Sequence, residues 1–253
     1  MDHRGVGRSY WHALKEILEP MVSSQLDAVQ KAADTAVEAL AAGHRLYIYD
    51  TGHMLNRELV NRAGGLIAMT PLNFDLNVEN TIAHEPPRSR PLATEEEIRG
   101  FVAYALGQAG VKAGDVAIVG SVTGARVLPV EVCRQLRQRG VALIGITSLE
   151  YSRFAPAQHS SQQKLADLCD VVIDNPCIVG DAILSVPGID VRVAPTSGVS
   201  AAVLMWMFCA EVVARQVAHG DTPWVLESMN LPGANERNQE RAQGYLSSLT
   251  VSK

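Results

Sequence analysis

The segment Asp115-Val-Ala-Ile-Val-Gly-Ser-Val-Thr-Gly-Ala-Arg126 predicts both the fold and a binding site. Its apolar run, 116–119, predicts a buried parallel strand that ends in a glycine and two hydroxyl residues, Ser121 and Thr123. Pro129 stands in the first turn of the helix that we expect next. Backbone N–H groups in such a turn and the dipole of the following helix both favour negative charge. The segment therefore predicts a site for an anionic small molecule, with phosphate as the first choice.

The composition is that of an ordinary globular protein. The 253 residues are 47% hydrophobic and 19% charged, and we expect them to form a single domain, 1–253. A net charge of −5 and the absence of a basic run argue against a nucleic-acid partner. The N-terminus lacks the apolar segment of a secretory signal, and the most apolar run, 201–210, is too short to span a bilayer. We therefore expect a cytoplasmic protein without a membrane partner, and its scattered cysteines should be reduced thiols.

Strand and helix patterns alternate along the chain. A helical region, 8–42, either continues through Pro20 or breaks there, and an αβα core, 43–218, and a C-terminal extension, 219–253, follow. Predicted strands are 45–49, 66–69, 116–119, 141–146, 171–173 and 190–193; predicted helices are 54–63, 94–108, 128–139, 162–168, 199–218 and 234–248; and 70–93, 149–161 and 174–188 have no regular pattern. Strands that are continuous apolar runs are typical of a parallel sheet covered by helices on both faces.

Ligands of such a sheet bind beyond the carboxyl ends of its strands. Gly124 therefore joins the two hydroxyl residues of the 120–126 turn as one wall of a candidate site. The residues after the first strand form either a second wall or a plain structural turn in which the aspartate caps the next helix: Asp50, Thr51, Gly52 and His53. A neutral imidazole in a first helical turn, as expected for His53, is able to act as a base.

Other polar residues lie in loops at or near the same edge. His84 and Glu85 either belong to a loop that closes over a ligand or are simply exposed. Asp181 is a further candidate contact, with an ordinary turn aspartate as the alternative. Thr196-Ser197 precedes the apolar helix, where the two hydroxyls bind the anion or only cap the helix. His159-Ser-Ser161 begins a short helix, and we expect it to act in capping.

Sequence motifs for metals and nucleotides are absent. The chain contains no HxxxH, HxH or cysteine–histidine cluster, so we expect no metal. The phosphate-binding motifs GxxxxGK[ST] and GxGxxG and the nucleophile motif GxSxG are also missing. We therefore expect no cofactor.

The order and spacing of the motifs resemble the SIS (sugar isomerase) domain family of phosphosugar isomerases and phosphosugar-binding proteins. The similarity is closest to a bacterial subgroup related to phosphoheptose isomerases. The motifs that carry it are Gly120–Arg126 with Pro129-Val-Glu131, Asp50–His53 with Arg62–Gly65, His159–Ser161, Asp170–Asp174 and Pro195–Ser197. The resemblance implies a flavodoxin-like three-layer αβα sandwich with a five-stranded parallel sheet, and a homodimer or homotetramer with the N-terminal helix at the interface.

The resemblance also implies roles for particular residues. Ser121, Thr123 and Ser197 would contact a sugar phosphate, and Glu58 would match an acid/base glutamate. Arg126 departs from the family, which usually has a small polar residue there; it either binds the anion by a bidentate contact or fills the pocket. The predicted helix 199–218 lacks the histidine that helps to hold zinc in phosphoheptose isomerases.

The implied function is aldose–ketose isomerisation of a phosphorylated or otherwise anionic sugar, including a sulfonated one. The reaction moves a proton between C1 and C2 through an enediol. Glu58 is the first candidate base; His84, Glu85 and His53 are candidates for ring opening or carbonyl polarisation. The alternatives are a sugar-phosphate sensor without catalysis and a lyase or deaminase of a phosphosugar.

Overall fold

A five-stranded parallel sheet forms the centre of the molecule in the computed structural model, which describes residues 5–51, 55–75 and 93–251. The elements in chain order are α1 (Val6–Ala41), β1 (Leu46–Asp50), α2 (Asn56–Leu59), β2 (Met69–Pro71), α3 (Glu95–Gln108), β3 (Val116–Gly120), α4 (Val127–Gln138), β4 (Ala142–Thr147), α5 (Leu149–Phe154), α6 (Leu165–Leu168), β5 (Val171–Asp174), β6 (Ala182–Ser185), β7 (Arg192–Pro195), α7 (Ser197–His219) and α8 (Ala234–Val251). The strand order is β2-β1-β3-β4-β5, and every pairing in this sheet is parallel.

Two layers of helices cover the sheet, because alternate residues of each strand point to opposite faces. Ile48, Ile118 and Ile144 belong to a core that includes α1 and α7. Their neighbours Tyr47 and Ala117 belong to a second core with α3 and α4. The predicted fold class, a flavodoxin-like αβα sandwich with a long N-terminal helix, is therefore confirmed.

The N-terminal helix α1 is continuous over 36 residues and passes through Pro20. A proline has no N–H to donate, but Pro20 is exposed, so water can bind the carbonyl that it leaves unpaired. The buried residues of α1, among them Val29, Ala33 and Val37, pack in the same core as α7. Self-association through this helix stays a prediction.

Several predicted boundaries are wrong. The second strand is β2, 69–71, whereas Leu66 forms a bridge with Val225. Residues 149–161 are not wholly irregular, because the Ser148 hydroxyl accepts from the Tyr151 N–H and caps α5. The 174–188 region contains β6, which pairs antiparallel with β7 outside the main sheet. Of the helix predicted at 54–63, the described part contains only the four residues of α2.

Local sequence signals were more reliable at helix ends. Thr94 and Glu97 form the expected capping box of α3, in which each side chain binds the backbone N–H of the other residue.

The four cysteines are free thiols. Burial raises the pKa of Cys209 to about 12, and a hydrogen bond with Cys169 together with burial raises the pKa of Cys133.

Helix α7 extends beyond the apolar run 201–210 to 23 residues, which is long and apolar enough to cross a membrane by length and composition alone. The ten-residue apolar run is thus part of a longer helix, whose bounds lie close to the predicted 199–218. The helix is nevertheless a core element: Leu204, Met205 and Phe208 are fully buried in the same core as α1 and the sheet.

Gly145 in β4 gives a test of the packing between the sheet and α6. An added Cβ would lie 2.6 Å from Leu165 Cδ2 and 2.7 Å from Cys169 Sγ, and Leu165 is too buried to move aside. We expect Gly145→Ala to lower the free energy of unfolding by about 1–3 kcal/mol. The control is Gly107→Ala, at an exposed position of α3 where the new methyl group meets nothing within 4 Å. Because alanine favours a helix more than glycine, the free energy of unfolding should rise by about 0.5–1 kcal/mol. Urea unfolding measures both, and equal stabilities of the two variants would contradict the packing argument.

Candidate functional site

The turn between β3 and α4 is held in place from the neighbouring strand. The Ser121 N–H donates to the Ile146 carbonyl at 3.0 Å. The Val122 carbonyl accepts from the Ser148 N–H at 2.9 Å and from the Thr147 hydroxyl at 3.0 Å. Thr147 and Ser148 are themselves almost fully buried, so the turn rests on a rigid support.

Several donors of this turn have no acceptor in the part of the chain that the structure describes. Among the described residues, no hydrogen-bond partner exists for the backbone N–H groups of Val122, Thr123, Gly124 and Arg126. The N-terminus of α4 has no side-chain cap either. Gly124 has a φ of 60°, and a Cβ there would lie 2.8 Å from Leu165 Cβ, so the turn requires glycine. Unpaired N–H groups at the start of a 12-residue helix form the arrangement that binds anions.

Side chains add further donors at the same place. Ser121 is buried, and its hydroxyl has no hydrogen-bond partner in the described part of the chain. The Thr123 hydroxyl accepts from the Ala125 N–H at 3.4 Å, which leaves its proton available. Arg126 is the exposed N-cap residue of α4, and its guanidinium has no partner within 5–51, 55–75 and 93–251. Two hydroxyls and one guanidinium therefore accompany the N–H groups.

The turn after β1 lies directly against this one. The N–H and hydroxyl of Thr51 both donate to the Gly120 carbonyl, at 3.2 and 3.4 Å. The Asp50 carboxylate is largely buried and accepts from the Leu55 N–H at 2.8 Å, immediately before α2. Asp50 and Thr51, both candidates from the sequence, therefore lie at the edge of the 120–126 turn. The contact of Asp50 with the Leu55 N–H is the helix-capping role that the sequence left open as the alternative to a ligand contact. Gly52, His53, His84 and Glu85 lie outside the described residues.

The position of Glu58 is set by two donors. The indole N–H of Trp206 in α7 donates to Glu58 Oε1 at 3.2 Å, and the Arg62 guanidinium lies 2.9 Å from Oε2. Glu58 follows β1 in α2, and its carboxylate remains one-third exposed. The contact with Trp206 links α2 to α7, and Leu59 of α2 packs in the same core as α7.

A family model described as SIS domain matches residues 9–148. The chain belongs to the SIS domain family. It is 32% identical over 240 residues to a UPF0309 protein of Halalkalibacterium halodurans, covering 94% of this chain and 93% of that protein. It is 34% identical over 221 residues to a UPF0309 protein of Brucella anthropi, covering 87% of each. A phosphoheptose isomerase from Francisella tularensis shares the fold, with a TM-score of 0.56 at 12% identity over 85% of this chain and 100% of that one.

In this SIS domain, a carboxylate of the protein itself binds the N-terminus of α7. Asp181 Oδ1 accepts from the N–H groups of Thr196 and Ser197 at 3.1 and 2.8 Å, and Oδ2 accepts from the Ser197 hydroxyl at 2.6 Å. Asp181 has a φ of 64°, a left-handed conformation that aspartate tolerates better than most residues. The three sequence candidates are therefore brought together, and their polar groups bind one another.

Sequence reasoning missed a buried polar cluster behind the 120–126 turn. His159 Nδ1 accepts from the Ser161 N–H at 3.0 Å, so the ring proton lies on Nε2, which is 3.0 Å from Glu131 Oε2. The Ser160 N–H donates to Glu95 at 2.9 Å. The sequence offered one signal for this contact, which is that Glu131 and His159 belong to separate family motifs. It fastens the loop after α5 to α3 and α4.

A second missed residue is Asn175, which directly follows β5. It is fully buried; its side-chain N–H donates to the Ser197 carbonyl at 2.9 Å, whereas its Oδ1 has no partner among the described residues. No group of three or more histidine, cysteine, aspartate or glutamate residues in the described ranges is arranged to hold a metal ion.

The Asp181 cap predicts a loss of stability when its charge is removed. Asp181→Asn keeps the size and the tolerance of positive φ but removes the negative charge from the start of α7. We expect the free energy of unfolding to fall by about 1 kcal/mol. Asp190→Asn changes an exposed aspartate between β6 and β7 and should leave stability unchanged. Thermal and urea unfolding compare the two variants, and an unchanged Asp181→Asn would show that the charge does not stabilise α7.

Proposed function

We propose that the protein is an aldose–ketose isomerase that acts on a sugar with a phosphate or another anionic group such as a sulfonate. The single observation that carries the proposal is the 120–126 turn, whose N–H groups at the start of α4 are unpaired within the described residues. Membership in the SIS domain family supports sugar-phosphate binding or isomerase chemistry.

The anionic group is bound by donors of three kinds in this proposal. The backbone N–H groups of Val122, Thr123, Gly124 and Arg126 and the dipole of α4 bind its oxygens. The hydroxyls of Ser121 and Thr123 donate further hydrogen bonds. Arg126 adds a charge and a bidentate contact, which suits phosphate and sulfonate alike.

The neighbouring turn and α2 supply the chemistry. Glu58 moves the proton between C1 and C2 through the enediol, and its two partners hold the carboxylate in one orientation. Asp50 and Thr51 border the sugar because they adjoin Gly120. His53, His84 and Glu85 remain the candidates for ring opening. Thr196, Ser197 and Asp181 border the far side of the same edge in this proposal.

Replacement of the base separates chemistry from binding. In Glu58→Gln, the amide oxygen still accepts from Trp206, so the site should keep its shape while losing the group that moves the proton. We expect turnover to fall by about 100-fold or more, with ligand affinity within about threefold of the wild type. The measurement is exchange of the C2 proton with deuterated solvent, followed by NMR, together with calorimetric affinity.

Glu211→Gln is the matched control for this experiment. Glu211 is also a partly exposed glutamate with an arginine partner one turn along its helix, Arg215, but it lies in α7 beside α1. Its replacement should leave turnover unchanged. Full activity in Glu58→Gln would remove Glu58 from the mechanism, and ligand binding without any proton exchange in the wild type would contradict the isomerase.

The anion site has its own test. A thermal-shift screen compares phosphorylated, sulfonated and uncharged forms of the same sugars with the wild type and with Ser121→Ala/Thr123→Val and Arg126→Gln. We expect only the anionic sugars to raise the melting temperature, and each variant to weaken their binding by about 10-fold or more, as expected for the loss of one or two hydrogen bonds. A response limited to uncharged sugars would contradict the anion site.

A further inference from the structure

The outer surface of α3 and α4 carries two neighbouring cavities, of about 390 and 350 Å³. Arg134 and Gln138 of α4 line both cavities. Arg99 and Arg139 line the larger cavity, and Arg137 lines the smaller one. We call the two cavities together the α3–α4 groove. None of the residues of the 120–126 turn lines it.

Two cations of the groove have no carboxylate partner among the described residues. The Arg134 guanidinium donates to the side-chain oxygen of Gln163, and Arg139 donates to the carbonyls of Gln135 and Ala103. These acceptors are all neutral, and within the described ranges no carboxylate forms a salt bridge with either arginine. Both side chains are partly buried. A guanidinium that is partly removed from water without an anionic partner costs free energy, which a bound anion would recover.

The other charged groups of the groove are already matched. Arg137 pairs with Asp170 at 3.0 Å, and Arg99 pairs with Glu95 at 3.0 Å. Glu131, the one carboxylate of the lining, is buried and lies 3.0 Å from His159 Nε2. Gln135 donates to its other oxygen at 2.8 Å. The Arg99 guanidinium lies a further 3.7 Å from Glu131 Oε1. The carboxylate of Glu131 is thus held by His159, Gln135 and Arg99, and within the described ranges it forms no ion pair with Arg134 or Arg139.

We propose that the α3–α4 groove binds a small anion with two or more phosphate groups through Arg134 and Arg139. Guanidinium groups bind phosphate oxygens in bidentate geometry, and two of them beside one cavity match a ligand with adjacent phosphates. The larger cavity has the volume of a typical small-molecule site. A localised site is needed because the protein as a whole has a net charge of −5 and repels anions at long range. This binding is independent of the proposed sugar reaction.

Calorimetric titration of the full chain with pyrophosphate at constant ionic strength tests the site. We expect the wild type to bind pyrophosphate and Arg134→Gln/Arg139→Gln to bind it at least ~10-fold more weakly, because two charged donors are lost. The control is Arg153→Gln, which removes an exposed arginine of α5 that lines neither cavity, and its affinity should stay within about twofold of the wild type. Ser121→Ala/Thr123→Val, in the turn of the proposed sugar site, should leave this binding unchanged.

The outcomes distinguish the groove from the sugar site. Loss of pyrophosphate binding in Ser121→Ala/Thr123→Val but not in the double arginine variant would overturn the proposal and place the anion in the turn. Absence of binding to the wild type up to about 10 mM, the range of the weakest specific sites, would also overturn it. A failed sugar-isomerase assay with intact pyrophosphate binding would affect only the proposed function.

Two further measurements keep the test informative. Arg139 contributes hydrogen bonds to the backbone, so the double variant is checked by thermal unfolding. If the double variant is unstable, Arg134→Gln alone replaces it, because Arg134 donates to the side-chain oxygen of Gln163 rather than to the backbone. ATP is titrated beside pyrophosphate. Equal affinities would identify a polyphosphate ligand, and tighter binding of ATP would identify a nucleotide; both support the site.

Discussion

The parallel pairing of β3 with β1 and β4 is the interaction on which the rest of the structure depends. It brings the carboxyl ends of three strands to one edge and places Gly120 beside Asp50 and Ile146. Hydrogen bonds beyond the strand ends continue this pairing: Thr51 donates to the Gly120 carbonyl, and Ser148 donates to the Val122 carbonyl. The 120–126 turn therefore keeps its open shape while the N–H groups of Val122, Thr123, Gly124 and Arg126 have no partner among the described residues.

Two helix N-termini at this edge both attract negative charge, and the protein satisfies them differently. At α7, the Asp181 carboxylate accepts the N–H groups of Thr196 and Ser197, so an anion is built into the protein. At α4, the described residues provide no such carboxylate and no cap, although the turn is equally well supported. The contrast supports the 120–126 turn as the place where an external anion binds.

Polar contacts between buried or partly buried side chains hold the parts of the site that the sheet does not reach. The His159–Glu131 contact joins the loop after α5 to α4, and Gln158 donates to the Ala125 carbonyl in the same loop. On the opposite core, Trp206 joins α7 to Glu58. Each contact costs little because both partners are hydrogen-bonded, whereas either group buried alone would be expensive.

The sequence by itself determined the elements whose signals are local. Short-range patterns of this kind are the apolar runs of β3 and β4, the Thr94–Glu97 capping box and the hydroxyl-bearing turn. The order of the motifs resembles that of the SIS domain family, and this resemblance implied the five-stranded parallel sheet. The tertiary structure decided what depends on residues far apart in the chain. The tertiary contacts place the second strand at 69–71 and pair β6 with β7 in a hairpin. They also determine the partners of Asp181 and Glu131. These contacts form only when the fold brings distant segments within hydrogen-bond distance, so no local pattern of side chains encodes them.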